Sequence, residues 1–302
     1  FSRKWRTTRS TQVNKMRIHR FITFPAILLT GWIQGWAAPP EETVMRETKT
    51  VKIALSQIFA LDGDREGNFV RIENALKEAK AQGAEIACFP ETTIYGWVNP
   101  DAHQRAHPIP GEDSDRLCGL ARKYSIYICA GLAEKEHGHL YDSAILIDKE
   151  GRILLKHRKI NLLTQLMNPP YTPGEDIQAV ETPWGRIGIL ICADTFVKEN
   201  LQRMAALEPD LVLVPYGWAA DETEWPQHGN ELHKTVAQAA RAIGAPVIGT
   251  DLVGEITHGP WAGKVYGGQS VAADAQGHIL AIAKDRDRDI LVVSIQPGRV
   301  RP

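Results

Sequence analysis

From residue 51 onward, short apolar runs alternate with segments in which apolar residues recur at helical spacing. The run VKIALSQ (51–57) predicts a strand, and residues 68–82 predict a helix that ends before Gly83. The alternation continues to residue 295, with a hairpin over 140–158 and a final meander from 269. Two rounds of strand and helix plus hairpins predict an α/β sandwich of two sheets covered by helices.

Charge is distributed unevenly along the chain. Residues 1–20 carry seven Lys or Arg and no acid, whereas the remaining residues have 28 basic and 36 acidic side chains. The predicted sandwich is therefore mildly acidic, which does not favour a nucleic-acid partner.

The first fifty residues are typical of an export segment and linker. Basic residues after Met16, an apolar run from 21 to 36 and small residues near Ala37 and Ala38 predict a secretory signal peptide over about 16–38. The apolar run is short for a membrane span. We therefore expect an exported, periplasmic or secreted protein without stable membrane embedding, the alternative being a chain anchored to the membrane by this run.

The four cysteines do not suggest a disulfide framework or a metal site. Cys88 and Cys129 lie in apolar runs that predict buried strands, and Cys118 lies in a helical pattern. No pair has the spacing of a metal-binding or redox motif. The histidine strings HQRAH and HGNELH also lack the ligand order of a zinc helix. We expect neither a metal nor an organic cofactor.

Three reactive side chains each follow a predicted strand. Cys192 ends the string GRIGILIC, Glu91 follows ACFP, and Lys159 follows ILLKHR. A thiol at a strand end can point into a pocket, and the next backbone N–H, that of Ala193, can stabilise an oxyanion. Each residue alone is more often structural: a core cysteine, a solvated turn or a basic strand edge. Their combination makes a nucleophilic site the stronger interpretation.

The strings FPET, HRKINL and ICADTF, in this order, resemble the carbon–nitrogen hydrolase (nitrilase) superfamily, in its amidase-like branch. YDSAILIDKEG, YTPGED and PDLVLVPYGW add support. The resemblance implies a four-layer αββα sandwich over residues 51–297, after the segment 1–50. It also implies Cys192 as nucleophile, Glu91 as general base, Lys159 as fixed positive charge, and pairing into a homodimer or higher homo-oligomer.

The chain departs from this family in one loop. Many members carry a second glutamate between the lysine and the Y-T-P-G string, but residues 161–174 contain no acid. Asn168, or less favourably Gln165, is the polar residue left to position an amide. The departure leaves open a catalytically inert, binding relative.

The residues around Cys192 narrow the substrate class. Nitrile-hydrolysing relatives usually have Trp-Glu after the cysteine, whereas this chain has Ala-Asp, which favours a small amide over a nitrile. A nitrilase or an acyl-transferring relative remains the alternative. Aromatic residues near strand ends are pocket candidates, with core packing as the other interpretation for each: Tyr95, Tyr216 and Trp218, with Trp97 and Trp225 beside them.

Overall fold

Two six-stranded sheets form the centre of the protein in a computed structural model that describes residues 49–300. The strands are β1 Val51–Gln57, β2 Ile86–Cys88, β3 Tyr127–Glu136, β4 His139–Ile147, β5 Ile153–Arg158, β6 Ala179–Thr182, β7 Gly185–Ile189, β8 Leu211–Pro215, β9 Ala219–Ala220, β10 Val247–Thr250, β11 Val253–Glu255, β12 Val265–Gly267, β13 Val271–Ala273, β14 Ile279–Ile282 and β15 Asp289–Ile295. The helices are α1 Arg65–Ala81, α2 Ala102–Arg105, α3 Glu112–Tyr124, α4 Lys198–Ala206 and α5 Gly229–Ile243. The predicted signal peptide, residues 16–38, lies outside the described residues, and export stays a prediction.

The first sheet has the order β15-β1-β2-β3-β4-β5. The strands β1, β2 and β3 are parallel, and β15, β4 and β5 are joined to them by antiparallel pairing. Parallel neighbours need crossover connections, which α1 and α3 supply. Because β2 and β3 are buried on both faces, they read as continuous apolar runs in the sequence.

The second sheet repeats this arrangement with the order β14-β13-β10-β8-β7-β6. Its centre, β7, β8 and β10, is parallel, and α4 and α5 make the crossovers. Strands of the two sheets contact each other through β1 and β10, β3 and β8, and β4 and β7. The helices α1 and α3 pack on the outer face of the first sheet, and α5 packs on the second sheet beside α4. The predicted four-layer αββα sandwich is confirmed.

Local sequence signals account for the helix ends. The Asp64 side chain accepts a 3.1 Å hydrogen bond from the Gly67 N–H at the start of α1, three residues before the predicted start at 68. The helix α5 ends at Gly244, whose φ of +76° is favourable for glycine. No helix within residues 49–300 is long and apolar enough to span a membrane.

A third, three-stranded sheet and the short helix α2 were not predicted. The small sheet has the order β11-β12-β9, and its strands have two or three residues each. Segments this short contain too few residues to show a period of two, so their pairing depends on tertiary contacts.

Candidate active site

Glu91 follows β2 and is completely buried. Its N–H donates to the Tyr216 carbonyl of the second sheet at 3.2 Å. On the other side, the Gly131 N–H donates to the Pro90 carbonyl at 3.1 Å. A Cβ added at Gly131 would come within 2.6 Å of the Glu91 Cα, so the close approach of β3 requires glycine there. Both sheets therefore fix the turn that carries Glu91.

Lys159 follows β5, and its side chain is also buried. Its Nζ donates to Glu91 Oε1 and lies 3.5 Å from Asp142 Oδ2. Burial acts to lower the pKa of Lys159, but the charges of Glu91, Cys192 and Asp142 outweigh it and raise this pKa well above its usual value. The Nζ also lies 5.8 Å from the centre of the Trp97 ring. Lys159 is therefore a permanent positive charge in an enclosed site.

Cys192 begins a 3-10 turn, Cys192–Phe196, just beyond β7. Its φ is +41°, a region that residues other than glycine seldom adopt and that is found disproportionately at functional sites. The Thr195 hydroxyl donates to the Cys192 carbonyl at 2.7 Å and holds the turn. Burial, followed by the Glu91 carboxylate, raises the pKa of the Cys192 thiol well above its usual value, against the lowering effects of the Lys159 charge and then of the Gly217 N–H. The resting thiol is therefore protonated near neutral pH.

The Asp194 carboxylate joins the lysine loop to the cysteine turn. Its Oδ1 accepts from the N–H groups of Ile160 and Asn161 at 2.9 and 2.8 Å. Its Oδ2 is bonded to His157 Nε2 at 2.8 Å and accepts from the Ile191 N–H at 3.1 Å. One buried side chain thus fixes the positions of Lys159 and Cys192 relative to each other.

Replacing Asp194 with asparagine should lower both the melting temperature and kcat. The amide has one acceptor oxygen, so at least one of the four donors loses its partner, at a cost of about 1–3 kcal/mol. Thermal unfolding and steady-state kinetics would measure the two effects. Asp176→Asn is the control, because that exposed side chain lies near the same loop. Equal behaviour of the two variants would contradict this role for Asp194.

A small cavity of about 10 Å³ opens beside Lys159. Its lining includes Trp97, Asp142, Met167 and Tyr171, but neither Glu91 nor Cys192. Several polar atoms at or near it are buried without a hydrogen-bond partner among residues 49–300: Glu91 Oε2, both Asp142 carboxyl oxygens and the Tyr171 hydroxyl. Buried polar groups are normally paired, so these atoms are suited to binding the polar groups of a ligand.

Asp142 and Tyr171 were not among the predicted site residues. Both lie in strings that carried the family resemblance, YDSAILIDKEG and YTPGED. The register of the β4–β5 hairpin could have indicated Asp142. Ser143 pairs with Arg158, so residue 142 lies opposite Lys159. The 2.8 Å hydrogen bond from the Lys159 N–H to the Asp142 carbonyl shows this pairing.

Asn168 does not lie in this cavity. It is exposed and lines a separate outer cleft with Gln165 and Pro260. Val98 and Met167 line both the cleft and the cavity. Asn168 is thus at the surface rather than beside Lys159, because the loop after β5 turns its apolar residues inward. A direct role for Asn168 in positioning an amide stays a prediction without geometric support.

Among the aromatic candidates, Trp97 lines the cavity beside Lys159, and the other four divide into two groups. Tyr95 is buried on the helical side of the first sheet, and its hydroxyl donates to the Arg105 carbonyl at 2.7 Å. Trp225 is likewise buried and packs against Gly267. Neither lines the cavity beside Lys159. Core packing therefore accounts for Tyr95 and Trp225.

Tyr216 and Trp218 lie near the cysteine turn. The Tyr216 hydroxyl is 3.0 Å from Thr195 Oγ1, within the turn that begins at Cys192. The Trp218 ring contacts those of Tyr216 and Phe196, with centroids 6.2 and 5.7 Å away. Ala193 is buried directly after the thiol. Tyr216 and Trp218 therefore contact other residues of the turn that begins at Cys192.

Residues 49–300 contain no group of three or more His, Cys, Asp or Glu side chains that could hold a metal ion. The first histidine of HQRAH, His103, instead contacts the Pro169 carbonyl through Nε2 at 2.9 Å.

Comparison with solved structures places this fold among amidases. An amidase variant from Nesterenkonia sp. AN1, with the acetamide moiety of fluoroacetamide added at its active-site cysteine, is 25% identical. The match covers 83% of this chain and 92% of that one, with a TM-score of 0.71. A second variant of that amidase, in complex with butyramide, is also 25% identical over 82% of this chain and 92% of its own, with a TM-score of 0.71.

Sequence relatives agree with the structural match. An (R)-stereoselective amidase from Pseudomonas sp. is 30% identical over 81% of this chain and 85% of its own length. Omega-amidase NIT2 from Mus musculus is 31% identical over 64% of this chain and 71% of its own. The profile of the Carbon-nitrogen hydrolase family matches residues 52–302. This chain belongs to the carbon–nitrogen hydrolase family, in the amidase-like branch of the nitrilase superfamily, and is an enzyme acting on carbon–nitrogen bonds other than peptide bonds.

Proposed function

We propose that this enzyme hydrolyses a small amide to a carboxylate and ammonia through a thioester on Cys192. The observation that carries the proposal is the buried contact of Lys159 Nζ with Glu91 Oε1, next to a thiol whose pKa both groups influence. Three strands from two sheets deliver these side chains to one enclosed place. A structural salt bridge alone would not require a strained cysteine beside it.

Glu91 is the general base of the first step. The buried thiol is protonated at rest, and a thiol attacks a carbonyl carbon effectively only as thiolate. Glu91 Oε2 has no hydrogen-bond partner in the part of the chain that the structure describes, so it is available to take the thiol proton. As the S–C bond forms, the carbonyl oxygen becomes an oxyanion, which Lys159 and the Ala193 N–H stabilise. Loss of one such donor typically lowers kcat by about 10²–10³-fold.

The same proton completes the reaction. Glu91 returns it to the nitrogen as the C–N bond breaks, and ammonia leaves. Glu91 then takes a proton from water, whose oxygen attacks the thioester carbonyl. Breaking of the C–S bond releases the carboxylic acid, and the proton held by Glu91 goes back to the thiolate. Amide and water are thereby converted to acid and ammonia, and the enzyme returns to its starting state.

The site favours a small, uncharged acyl group. The cavity beside Lys159 holds about one water-sized group, and apolar side chains form much of its wall. Two carboxyl groups, those of Glu91 and Asp142, face the one amine of Lys159. Because Lys159 is already engaged by these two groups, its charge is not free to pair with a carboxylate on the substrate. The butyramide complex of the Nesterenkonia amidase shows that a similar protein accepts such an amide.

An ammonia-release assay over short aliphatic amides, the matching nitriles and carbamoyl compounds tests this proposal. Acetamide, propionamide and butyramide should release ammonia, and the nitriles should be slower. Enzyme treated first with iodoacetamide, and shown by mass spectrometry to be labelled at Cys192, should release none. Turnover that survives such labelling would overturn the thioester mechanism. Faster release from nitriles would instead favour a nitrilase.

Self-association through the helices near the nucleophile stays a prediction of the family resemblance, since the structure holds one chain. Light scattering in solution would measure the mass directly. A monomer at working concentration would contradict it.

A further inference from the structure

Asp142 is a buried acid that the proposed reaction does not use. Its side chain is 1% exposed, and neither carboxyl oxygen has a hydrogen-bond partner among the described residues. It lines the cavity, and its Oδ2 lies 3.5 Å from Lys159 Nζ. The strand β4 carries it, paired with the end of β5, so the backbone holds it rigidly opposite Lys159.

The charges around Asp142 do not balance if every acid is ionised. Within residues 49–300, Lys159 is the one cation that forms an ion pair with it, and that amine already bonds Glu91. The charge of Asp194 also raises the pKa of Asp142, but this charge is offset by the N–H groups that donate to Asp194. Tyr171 is a neutral neighbour. Burial, followed by the charges of Asp142 and Glu91, raises the pKa of Tyr171 well above its usual value. Two carboxylates that share one buried cation cannot both ionise cheaply.

We propose that Asp142 keeps one proton, held between its carboxyl group and that of Glu91, and that this proton sets the alkaline limit of the enzyme. This inference rests on the proposed function, since it concerns the same site. Asp142 is a positioning residue. Because its carboxyl group is neutral, only the negative charge of Glu91 lies opposite the Lys159 ammonium group, and Asp142 itself acts as a neutral hydrogen-bond donor.

The protonation state of Asp142 decides what Lys159 can do. With Asp142 neutral, the ammonium group offsets Glu91 and still attracts the developing oxyanion. Burial, and next the charge of Glu91, raise the pKa of Asp142 well above its usual value. When Asp142 loses its proton at high pH, the new carboxylate competes for Lys159 and disfavours the thiolate.

The variant Asp142→Asn tests the inference, because asparagine is isosteric and offers a permanently neutral donor. At pH 7 its kcat should fall by less than about tenfold, the effect of one altered neutral hydrogen bond. The alkaline limb of its pH–rate profile should move up by about one unit or more, or disappear. In parallel, the pH midpoint for iodoacetamide labelling of Cys192, followed by mass spectrometry, should move down by a similar amount.

Asp148→Asn is the matched control. Asp148 is a buried acid that directly follows β4, and its carboxylate accepts a hydrogen bond from Arg152 Nε at 2.7 Å. This variant can lose stability, but both pH profiles should match those of the wild type.

The two readouts separate failure of this inference from failure of the proposed function. If the wild type hydrolyses amides and Asp142→Asn shifts neither profile, a shared proton is excluded. Loss of activity at every pH in a folded Asp142→Asn protein would mean that Asp142 acts as an anion, which also overturns the inference. If no amide is hydrolysed but the labelling midpoint still moves, the amidase proposal fails and the shared proton stands.

Discussion

Replacing Cys192 with alanine is expected to abolish amide hydrolysis, with kcat reduced by about 10⁴-fold or more. Without the thiol no thioester forms, and the buried Glu91 and Lys159 have no nucleophile to activate. The fold should persist, because alanine fits the space of cysteine and the turn is held by Thr195 and Asp194. Ammonia release gives the activity, and circular dichroism with thermal unfolding reports the fold.

Cys118→Ala is the control for the alanine variant. Cys118 is a buried thiol on α3, on the outer side of the first sheet, where burial raises its pKa. Its removal should leave ammonia release at the wild-type level. Cys192→Ser tests how far the reaction depends on sulfur as the nucleophile, because a serine hydroxyl is a weaker nucleophile in the same geometry. Measurable turnover in folded Cys192→Ala would show that the covalent mechanism is wrong.

Replacing Lys159 with methionine should impair both catalysis and stability. Methionine keeps much of the side-chain volume but removes the oxyanion charge, for an expected loss of about 10²–10³-fold or more in kcat. It also leaves the carboxyl groups of Glu91 and Asp142 buried without a cation. Breaking a buried ion pair in this way typically costs about 3–5 kcal/mol. Denaturant unfolding would measure the difference in free energy.

The stability loss in Lys159→Met should depend on pH, with a definite sign. Without the ammonium group, the pKa of Asp142, already raised by burial and by Glu91, should rise further. A carboxyl group with a raised pKa in the folded state contributes stability below its unfolded pKa of about 3.9 and loses it as the pH rises through the folded pKa. The deficit should therefore be constant at acid pH and grow only as the pH rises through the folded pKa that Asp142 has in the wild type.

Lys156→Met provides the matched control for this second variant. Lys156 is three residues earlier, is partly exposed, and bonds Glu134 Oε1 at 2.6 Å. Glu134 keeps its hydrogen bonds from Arg158, so no buried charge is left unpaired. We expect a small effect on stability and none on kcat. A pH-independent deficit in Lys159→Met equal to that of Lys156→Met would contradict the electrostatic account.

The architecture was predictable, and the three candidate side chains could be singled out, because their signals are local. A buried parallel strand appears as an apolar run, and Glu91, Lys159 and Cys192 each stand within three residues of the end of such a run or hairpin strand. Strand ends in a layered α/β fold gather at shared edges, so the motif order alone indicated one site. The family strings then indicated how the sheets stack. The sequence could not indicate that φ at Cys192 is positive.

Two features were decided by the tertiary structure. Asn168, which was expected to position the amide, lies at the surface. Asp142, which lies within β4, instead faces Lys159 at the cavity. Which face of a loop turns inward depends on packing against distant residues, which no local period records. Whether an acid is paired depends on how many cations reach it through space. The sequence by itself determined the fold and the family and singled out three candidate reactive groups; only the folded chain placed a second carboxyl group beside the amine of Lys159.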